Sequence, residues 1–430
     1  MRVHLQSLGC RLNEAELETW ARQFQQRGLA ISGADEAADL VVVNTCAVTG
    51  EAVRKSRKLL RRVQRDNPRA RLVVSGCAAS LPDTLPQDAG IDLLVPNSDK
   101  DRLVEIAADE LALPLMPAIA TEPAATPLFA RGRQRAFVKI QDGCRYQCTF
   151  CITTVARGTE RSRGAGEICD EINALAADGV QEVVLTGVHA GGWGSDLDSD
   201  LAALLATVLR ETDVPRIRLG SVEPWDLPET FWRLFEDPRL MPHLHLPLQS
   251  GADTVLRRMA RRCKRAEFAR LVELARGAVP DFNVTTDIIV GFPGETDFEW
   301  QQTLAAVEGI GFGHLHIFAY SPRRGTRAAT MADQLGGNIK RARSRQLHAL
   351  GQRIKRDILA RHVGRTLPVL IEGAGDTGGG QPRDQAGYTP NYLMVRIRND
   401  GNGVLGNQIR GVRIDAISDD GEGLLGQLAD

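Results

Sequence analysis

Residues 138–151 read VKIQDGCRYQCTFC, an apolar, strand-like run that leads directly into three cysteines. Cys144, Cys148 and Cys151 are spaced CxxxCxxC, so one loop can offer three thiolates to a metal. Zinc usually takes four protein ligands, or three and a water, whereas a [4Fe–4S] cluster held by three cysteines keeps one iron free for a substrate or cofactor. The aromatic Phe150 and the position after a strand favour the cluster; a zinc site or a redox motif is the alternative.

The region after this loop repeats a pattern of short apolar strands and helices. The candidate strands are Ala136–Ile140, Glu182–Thr186, Arg216–Gly220, His243–Leu248, Asn283–Val290 and His314–Tyr320. Helical stretches separate them, for example residues 164–178 and 265–278. Six strand–helix units in series predict an α/β fold, namely an open or partial (βα)6 barrel, with ligands at the carboxyl ends of the strands.

Three further regions surround this barrel domain, which we assign to residues 134–361. Residues 1–115 contain buried strands such as Arg71–Ser75 between helical patterns, which predicts a Rossmann-like parallel α/β domain. The proline-rich segment 116–133 is typical of an extended linker. Residues 362–430 are rich in glycine and contain short alternations of Val, Ile and Leu, which predict a small all-β domain.

A second set of three cysteines is scattered along the amino-terminal region. Cys10, Cys46 and Cys77 each follow a predicted strand, in HLQSLGC, LVVVNTC and LVVSGC. Because the carboxyl ends of parallel strands meet at one edge of a sheet, the three thiols can converge there. We therefore expect a second three-cysteine cluster; the alternative is that each is a small buried hydrophobic residue. Cys169 and Cys263 lie in helical patterns and are interpreted as structural.

The composition restricts the class of protein. The chain has 430 residues, 53 Lys+Arg against 54 Asp+Glu, a net charge of −1 and a hydrophobic fraction of 43%. These values exclude a mostly disordered chain and a surface that is basic throughout. Since no long apolar run and no secretory signal occur, we expect a cytoplasmic protein without a membrane partner. In that compartment the eight cysteines act as ligands, nucleophiles or core residues rather than as disulfides.

Taken together, these motifs resemble the radical S-adenosylmethionine (SAM) methylthiotransferases. The CxxxCxFC of the loop is similar to the radical SAM signature, and the two sets of three cysteines together are similar to this family. Further matching segments are SLGCRLNEAELE, with Asn13 and Glu16, VVNTCAVTGEAVRKSR, HLHLPLQSGADTVLRRM and TTDIIVGFPGETDFEW. The glycine-rich tail, with YTPNYLMVRI, resembles the family's TRAM domain. The resemblance covers nearly the whole chain.

The resemblance implies two [4Fe–4S] clusters and SAM as cofactors. The Cys144, Cys148 and Cys151 cluster would bind SAM, and one electron from an external donor would cleave it to a 5′-deoxyadenosyl radical. The radical would take hydrogen from C2 of an adenine. Sulfur would come from an auxiliary cluster on the second cysteine set, supplied by a sulfur source, and a second SAM would provide the methyl group. A radical is needed because this carbon is neither nucleophilic nor acidic.

SAM must also be held by groups near the carboxyl ends of the barrel strands. The residues that we assign to cofactor binding are Phe150, Ser221, Glu223, Gln249 and Asp287. Each of the polar residues could equally be a structural hydrogen-bonding group. Histidines near the strand ends receive no catalytic role.

The segment GCRLNEAE around Cys10 is most similar to the branch of the family that modifies N6-threonylcarbamoyladenosine in tRNA. The resemblance thus implies 2-methylthiolation of that nucleoside at position 37. The alternatives are the same chemistry on N6-isopentenyladenosine in tRNA or on an aspartate of a ribosomal protein. A non-catalytic iron–sulfur RNA-binding or electron-transfer protein and a zinc-stabilised RNA-binding module are further alternatives.

Three local basic runs favour an RNA partner despite the neutral total charge. Residues 54–71 hold nine Arg or Lys, residues 257–265 hold six and residues 339–361 hold eight. Such runs match a surface that follows phosphates, although single basic helix faces are often merely solvated. The RNA-binding residues that we select are Lys340, Arg341, Arg343, Arg345, Arg396 and Arg398. A base that must reach a buried site suits a tRNA anticodon loop better than a duplex.

Overall fold

The computed structural model describes residues 1–33, 37–85, 90–114, 135–372, 385–398 and 405–429. Its amino-terminal region is a parallel sheet with helices on both faces. The elements are β1 (Arg2–Ser7), α1 (Arg11–Gln26), β2 (Ala30–Ile31), β3 (Leu40–Thr45), α2 (Gly50–Asp66), β4 (Arg71–Gly76), β5 (Leu93–Leu94) and α3 (Leu103–Glu110). The strand order is β2-β1-β3-β4-β5, as expected for the Rossmann-like domain.

The central strand β3 is buried along its entire length because helices cover both faces of the sheet. Side chains alternate between the faces of a strand, so Val42 packs with Trp20 of α1 on one side. Val41 and Val43 pack with Leu60 of α2 on the other. This two-sided burial explains the continuous apolar run in the sequence.

The central region is an open barrel of parallel strands. Its elements are β6 (Arg135–Asp142), α4 (Thr153–Arg157), β7 (Arg161–Ser162), α5 (Ala165–Ala177), β8 (Glu182–Gly187), α6 (Leu201–Glu211), β9 (Arg216–Leu219), β10 (His243–His245), α7 (Asp253–Arg258), α8 (Arg265–Ala278), β11 (Asn283–Val290), α9 (Asp297–Ile310), β12 (His314–Ala319) and α10 (Gly337–Ala360). Parallel bridges at Ile217–Leu240 and Ser221–His245 join the sheets β7-β6-β8-β9 and β10-β11-β12. Within the described ranges β6 and β12 do not pair, so the (βα)6 barrel is partial, as predicted.

One predicted barrel strand is shorter than expected. The sequence pattern extends from His243 to Leu248, but β10 ends at His245. Pro247 has no backbone N–H to donate to a neighbouring strand. Gln249 then adopts a left-handed backbone with φ of 70°. The chain therefore leaves the regular strand early while its residues remain buried.

The amino-terminal domain packs against the first barrel strands through α1. Ala15 of α1 contacts Phe137 of β6 and Val184 of β8 in a small buried cluster. The Glu18 carboxylate accepts a hydrogen bond of 3.2 Å from the Phe137 backbone N–H. The predicted linker, residues 116–133, lies outside the described residues.

The carboxyl-terminal region is a closed five-stranded barrel, which confirms the predicted all-β domain. Its strands are β13 (Thr366–Glu372), β14 (Gln385–Tyr388), β15 (Met394–Ile397), β16 (Gln408–Ile417) and β17 (Leu424–Leu428). The order around the barrel is β13-β14-β15-β17-β16. The sequence pattern indicated β13, β15 and β16 but not β14 or β17, which are short and contain glycine.

This small barrel covers the amino-terminal end of the central barrel. The first residue of β6, Arg135, bonds Glu372 at 2.7 Å and stacks on Tyr388, with 4.5 Å from its guanidinium carbon to the ring centre. At the start of β10, His243 stacks on Tyr392 with ring centres 4.7 Å apart. The small barrel therefore covers the amino-terminal end of the central barrel at β6 and β10.

Candidate functional site

Cys10, Cys46 and Cys77 lie at the same edge of the amino-terminal sheet. Each follows the carboxyl end of a strand, and β1, β3 and β4 are direct neighbours in the sheet. The thiols of Cys10 and Cys77 are close enough to Cys46 to raise its pKa electrostatically. Burial is the larger effect, and together these effects raise the pKa of Cys46 to about 11. The structure thus brings the scattered second set together, as predicted.

Cys144, Cys148 and Cys151 lie on the loop that joins β6 to α4. The backbone N–H of Tyr146 donates to Cys144 Sγ over 3.4 Å, which orients this sulfur. Burial, with smaller contributions from the other two thiols, raises the pKa of Cys144 to about 12. A second three-thiol site therefore exists at the carboxyl end of the first barrel strand.

Glycines with left-handed backbones precede three of the six cysteines. The φ angles are 127° at Gly9, 96° at Gly76 and 71° at Gly143. A Cβ on Gly9 would lie 2.7 Å from Cys46 Cβ, and one on Gly143 would lie 1.9 Å from the Thr159 carbonyl oxygen. Glycine alone fits these turns, which aim the following cysteine into its site.

The donor chemistry of both sites fits iron–sulfur clusters. Cysteine binds metal as a thiolate, and a raised thiol pKa means that burial without a partner favours the neutral thiol. A cationic metal centre reverses this balance, because a coordinated thiol is deprotonated. Three thiols at each site leave one ligand position open, which fits a cluster that must bind a further group.

Asn13 and Glu16 entered the sequence analysis only as members of a matching motif. The structure shows which residues contact their side chains. Arg157, at the end of α4, donates to Asn13 Oδ1 over 2.8 Å and to Glu16 Oε1 over 2.9 Å. Its Nε donates to Cys77 Sγ over 3.3 Å. Lys100 Nζ bonds Glu16 at 2.6 Å. Sequence reasoning missed Arg157 and Lys100, although the spacing of Asn13 and Glu16 on one face of α1 is a usable signal.

His189 is one of the strand-end histidines to which the sequence analysis gave no catalytic role, and it forms part of the wall beside the loop site. Its imidazole lies between two carboxylates, bonding Glu160 through Nδ1 and Asp226 through Nε2 at 2.6 Å. Burial opposes a charged ring, but Asp226 and Glu160 outweigh it and raise the pKa of His189. The ring of Tyr146 packs edge-on against His189 at 4.7 Å. The His189 imidazole is therefore held between two carboxylates next to Cys144.

Two residues selected for cofactor binding are engaged in ion pairs. Glu223 bonds Arg261 over 2.9 and 2.6 Å, and Arg261 in turn lies 4.0 Å from Cys148 Sγ. Asp287 accepts from His245 and His316, each over 3.2 Å. Both carboxylates lie near the carboxyl ends of the barrel strands, but each already has a cationic or hydrogen-bonding partner. Their direct contact with SAM stays a prediction.

The other three cofactor candidates differ in exposure. Phe150 is partly buried and packs against the apolar cluster that contains Phe292 and Tyr320. Ser221 is exposed and forms an isolated bridge to His245. Gln249 is buried, and its left-handed backbone is hydrogen-bonded on both sides to β11. A strained non-glycine residue fixed in this way is typical of functional positions.

One of the RNA-binding assignments is wrong. Arg343 is buried, with a side chain that is only 5% exposed, and it bonds Glu295 and Asp297 at 2.7 Å each. This pairing attaches α10 to the start of α9, so its guanidinium is not available to a phosphate. An arginine on a basic helix can face the core when a buried carboxylate pairs with it. A count of charges along the sequence does not reveal such a pair.

The remaining RNA candidates lie on two surfaces. Arg341 and Arg345 are exposed on α10, and Lys340 is half-buried over the Tyr320 ring at 5.1 Å. On the small barrel Arg396 pairs with Asp420 at 2.5 Å, whereas Arg398 is exposed. Contact of these residues with RNA stays a prediction.

Arg323 is a further cation that the sequence reading did not select. It follows β12, and its Nε is buried without a hydrogen-bond partner among the described residues. Burial lowers the pKa of Arg323, while the nearby Cys46 acts in the opposite direction. The next residue, Arg324, is 91% exposed and bonds Asp83. An inward cation thus lies beside the Cys10, Cys46 and Cys77 site.

None of the helices in the described ranges is long and apolar enough to cross a membrane.

Comparison with known proteins agrees with this geometry. The model of "Uncharacterized protein family UPF0004" matches residues 2–95, and that of the "Radical SAM superfamily" matches residues 138–307. The "Threonylcarbamoyladenosine tRNA methylthiotransferase MtaB" of Bacillus subtilis is 35% identical over 91% of this chain and 89% of its own. The chain belongs to the radical SAM methylthiotransferase family. Members of this family are enzymes that use SAM and carry two [4Fe–4S] clusters.

Other relatives agree with this family, and a solved structure shares the fold. The MtaB of Thermotoga maritima is 35% identical over 86% of both chains. A "tRNA-2-methylthio-N(6)-dimethylallyladenosine synthase" from Bacillus pumilus is 32% identical over 92% of this chain and 80% of its own. The radical SAM methyltransferase TsrM of Kitasatospora setae, solved with cobalamin and a [4Fe–4S] cluster, has a TM-score of 0.54 at 16% identity, covering 76% of this chain and 77% of its own. That likeness confirms the fold alone.

Proposed function

We propose that this enzyme converts N6-threonylcarbamoyladenosine at position 37 of tRNA to its 2-methylthio derivative. Cys144, Cys148 and Cys151 hold the cluster that binds SAM, and the second cysteine set holds the auxiliary cluster that supplies sulfur. Bound there, the two clusters and SAM provide radical cleavage, sulfur and methyl transfer. The threonylcarbamoyl branch is favoured because two relatives at 35% identity carry that name.

The observation that carries the proposal is a short link through Arg157 and Gly158 between the two cysteine sites. Arg157 lies six residues after Cys151 in the sequence, and its guanidinium reaches Cys77 of the other site. The Gly158 carbonyl accepts from the Cys144 backbone N–H, so the two cysteine sites are held near each other and can serve one substrate. This arrangement distinguishes a two-cluster transferase from a protein with one structural zinc.

A basic surface next to the auxiliary site supports a tRNA substrate. Helix α2 starts at Gly50, four residues after Cys46. Its exposed basic residues are Arg54, Lys55, Lys58, Arg61, Arg62 and Arg65. Such a row of cations provides sequence-independent attraction to phosphates. The threonylcarbamoyl group adds a carboxylate, to which Arg323 could donate from its Nε, since this atom has no hydrogen-bond partner among the described residues.

The reaction needs two further supplies that the chain does not itself provide. An external electron donor starts each SAM cleavage, and a sulfur source restores the auxiliary cluster after transfer. Both supplies and mature tRNA occur in the cytoplasm, where we place the enzyme.

The test is mass spectrometry of nucleosides from total tRNA, in cells with the gene, without it and with a Cys148→Ala copy. We expect loss of 2-methylthio-N6-threonylcarbamoyladenosine and accumulation of its precursor in both deficient strains. Persistence of this nucleoside, with loss of the isopentenyl analogue, would move the enzyme to the dimethylallyladenosine branch, which the 32% identical relative represents. If neither nucleoside changed, tRNA would not be the substrate.

A further inference from the structure

Arg157 is a buried cation that bonds two carboxylates, an amide and a cysteine sulfur. Its side chain is 2% exposed. One edge of the guanidinium faces two carboxylates, with Nη1 bonded to Glu16 at 2.9 Å and to Asp142 at 3.1 Å. The other edge faces the auxiliary site, with Nε donating to Cys77 Sγ over 3.3 Å. The side chain therefore connects an ion-pair network to a cluster ligand.

The ion-pair network is electrically complete without the cysteine. Lys100 Nζ bonds Glu16 at 2.6 Å and Asp142 at 2.5 Å, and its side chain is 1% exposed. Lys139 Nζ lies 3.9 Å from Asp142 and pairs with Asp101 at 2.5 Å. Three cations thus balance three anions around a buried centre, where an unbalanced charge is costly. Since the carboxylates already have Lys100 and Nη1, the Nε–H of Arg157 is available to the cysteine sulfur.

The position of Arg157 in the chain is rigidly tied to the SAM-binding loop. Arg157 ends α4, and the next residue, Gly158, turns with φ of 77°. The carbonyl of Gly158 accepts from the Cys144 backbone N–H over 3.1 Å. The backbone that carries Arg157 is therefore joined directly to the cysteine loop.

Asn13 completes the link on the auxiliary side. Its amide donates to the carbonyls of Leu8 and Thr45, over 2.9 and 3.1 Å, and so joins the carboxyl ends of β1 and β3. Its oxygen accepts from Arg157 at 2.8 Å and lies 3.5 Å from Cys10 Sγ. Arg157 thereby fixes the strand ends that carry two of the three auxiliary cysteines.

We propose that Arg157 is a positioning residue that sets both the place and the reduction potential of the auxiliary cluster. A hydrogen bond to a ligand sulfur stabilises the reduced cluster, which carries more negative charge, and so raises its potential. Its bonds to Asn13 and to the SAM loop hold the auxiliary site at a fixed distance from the other cluster. This inference rests on the proposed function for the existence of the auxiliary cluster.

The test measures the auxiliary cluster by itself, in the full chain with Cys144, Cys148 and Cys151 changed to alanine. Iron content and an EPR-monitored redox titration are recorded without tRNA or SAM. The variants are Arg157→Lys, which keeps the buried charge, and the double change Glu16→Gln with Arg157→Met, which removes one charge of each sign. Arg163→Gln is the matched control, because Arg163 pairs with Glu167 and Glu171 and none of its bonds reaches a cysteine.

We expect both Arg157 variants to load iron and to show a midpoint potential below that of the parent, with the larger fall in the double variant. The Arg163→Gln control should keep the parent potential and EPR spectrum. A parent potential in both loaded variants would overturn the proposal, as would failure of both to fold, which would mark Arg157 as a core residue only. Since no tRNA is present, a negative nucleoside experiment leaves this result independent of the substrate.

Discussion

The two cysteine sites are assembled in opposite ways. The proposed SAM-binding site lies on one loop, where Cys144 and Cys151 are seven residues apart. The auxiliary site collects Cys10 and Cys77, which are 67 residues apart, at the ends of neighbouring strands. Closing a long loop costs more chain entropy than closing a short one, so the auxiliary site forms only when the sheet has formed. The ligands of the first site are close in the sequence, whereas those of the second come together only through the tertiary fold.

The arginines beside the two sites also differ in whether their contacts lie within one domain or between two. Arg261 lies 4.0 Å from Cys148, pairs with Glu223 and stacks on Trp225 at 4.5 Å, all within the central barrel. Arg157 instead crosses from the central barrel to the amino-terminal domain and bonds Cys77 directly. The local site is thus supported by its own domain, whereas the auxiliary site depends on the docking of two domains.

The largest expected effect separates the roles of the two sites. With Cys148→Ala we expect 5′-deoxyadenosine and methylthiolated tRNA both to fall to background under anaerobic reduction, because SAM loses its cluster. With Cys77→Ala we expect 5′-deoxyadenosine to continue to form while methylthiolated tRNA falls to background. The two products are measured in one reaction by liquid chromatography and mass spectrometry.

Cys169→Ala is the control, since this buried cysteine lies on α5 within the hydrophobic core, and both products should form at the parent rate. Equal loss of 5′-deoxyadenosine in the Cys148 and Cys77 variants would contradict the separation of roles.

Substitution of the glycines before the cysteines should distort the backbone at each site separately. A Cβ on Gly76 would lie 2.3 Å from the Thr45 carbonyl oxygen, and one on Gly143 would lie 1.9 Å from that of Thr159. We expect each alanine variant to lose about half of the iron and about 3 kcal/mol of unfolding free energy, because strain and a steric clash combine. EPR should show loss of the auxiliary signal with Gly76→Ala and of the SAM-responsive signal with Gly143→Ala.

The matched control is Gly166→Ala on α5, where an added Cβ meets nothing within 4 Å. Alanine in a helix interior is expected to stabilise by up to about 1 kcal/mol. Full iron in the Gly76 and Gly143 variants would show that these turns tolerate a side chain and do not aim the cysteines.

The local site could be predicted from the sequence more completely than its surroundings. The CxxxCxxC spacing alone indicates three ligands on one loop, and the strand-end positions of Cys10, Cys46 and Cys77 follow from the parallel sheet. The partial barrel was also predictable, because short strand-like segments alternate with helical patterns along the sequence.

What the sequence could not show were contacts between distant polar residues. The pairing of Arg343 with Glu295 joins positions 48 residues apart, and nothing in a basic helical run reveals an inward carboxylate partner. Arg157 reaches Asn13 across 144 residues for the same reason. Side-chain networks of this kind depend on domain docking, which periodicity does not encode.

Lowering the pH should reduce the free energy of unfolding through protonation of Glu16. Burial alone would raise its pKa, but Arg157 and Lys100 outweigh burial and lower the pKa from 4.5 to about 2. A lowered pKa contributes stability above pH 4.5 that is lost as the pH falls towards 2. We expect Glu16→Gln to cost about 2 to 3 kcal/mol of unfolding free energy at pH 7.

This cost should shrink as the pH is lowered from 5 to about 3, since the parent then loses the same interaction. Urea unfolding of the cluster-free chain at each pH measures the difference between parent and variant, in which other titrating groups cancel. Glu14→Gln is the control, because Glu14 lies on the same helix with an exposed partner, Arg11. A pH-independent difference for Glu16→Gln would exclude the linkage.

The smallest expected effect concerns Arg323, which lies beside Cys46. Arg323 has a buried, unpaired Nε near Cys46, whereas the adjacent Arg324 is 91% exposed and bonds Asp83. We expect Arg323→Gln to weaken binding of the substrate tRNA roughly fivefold to tenfold, about 1 kcal/mol for one lost charged hydrogen bond. Arg324→Gln should leave the affinity unchanged, because a paired cation at the surface contributes little.

The identity of the anion that Arg323 meets follows from a second tRNA in the same filter-binding assay. If the partner is the threonyl carboxylate, the variant should bind tRNA with and without the threonylcarbamoyl group equally, because only the modified form had gained from the arginine. If the partner is a phosphate, both tRNAs should lose the same factor, with a shallower salt dependence. Parent affinity for both would show that Arg323 meets no substrate anion, and the auxiliary site would then bind its substrate through the α2 surface alone.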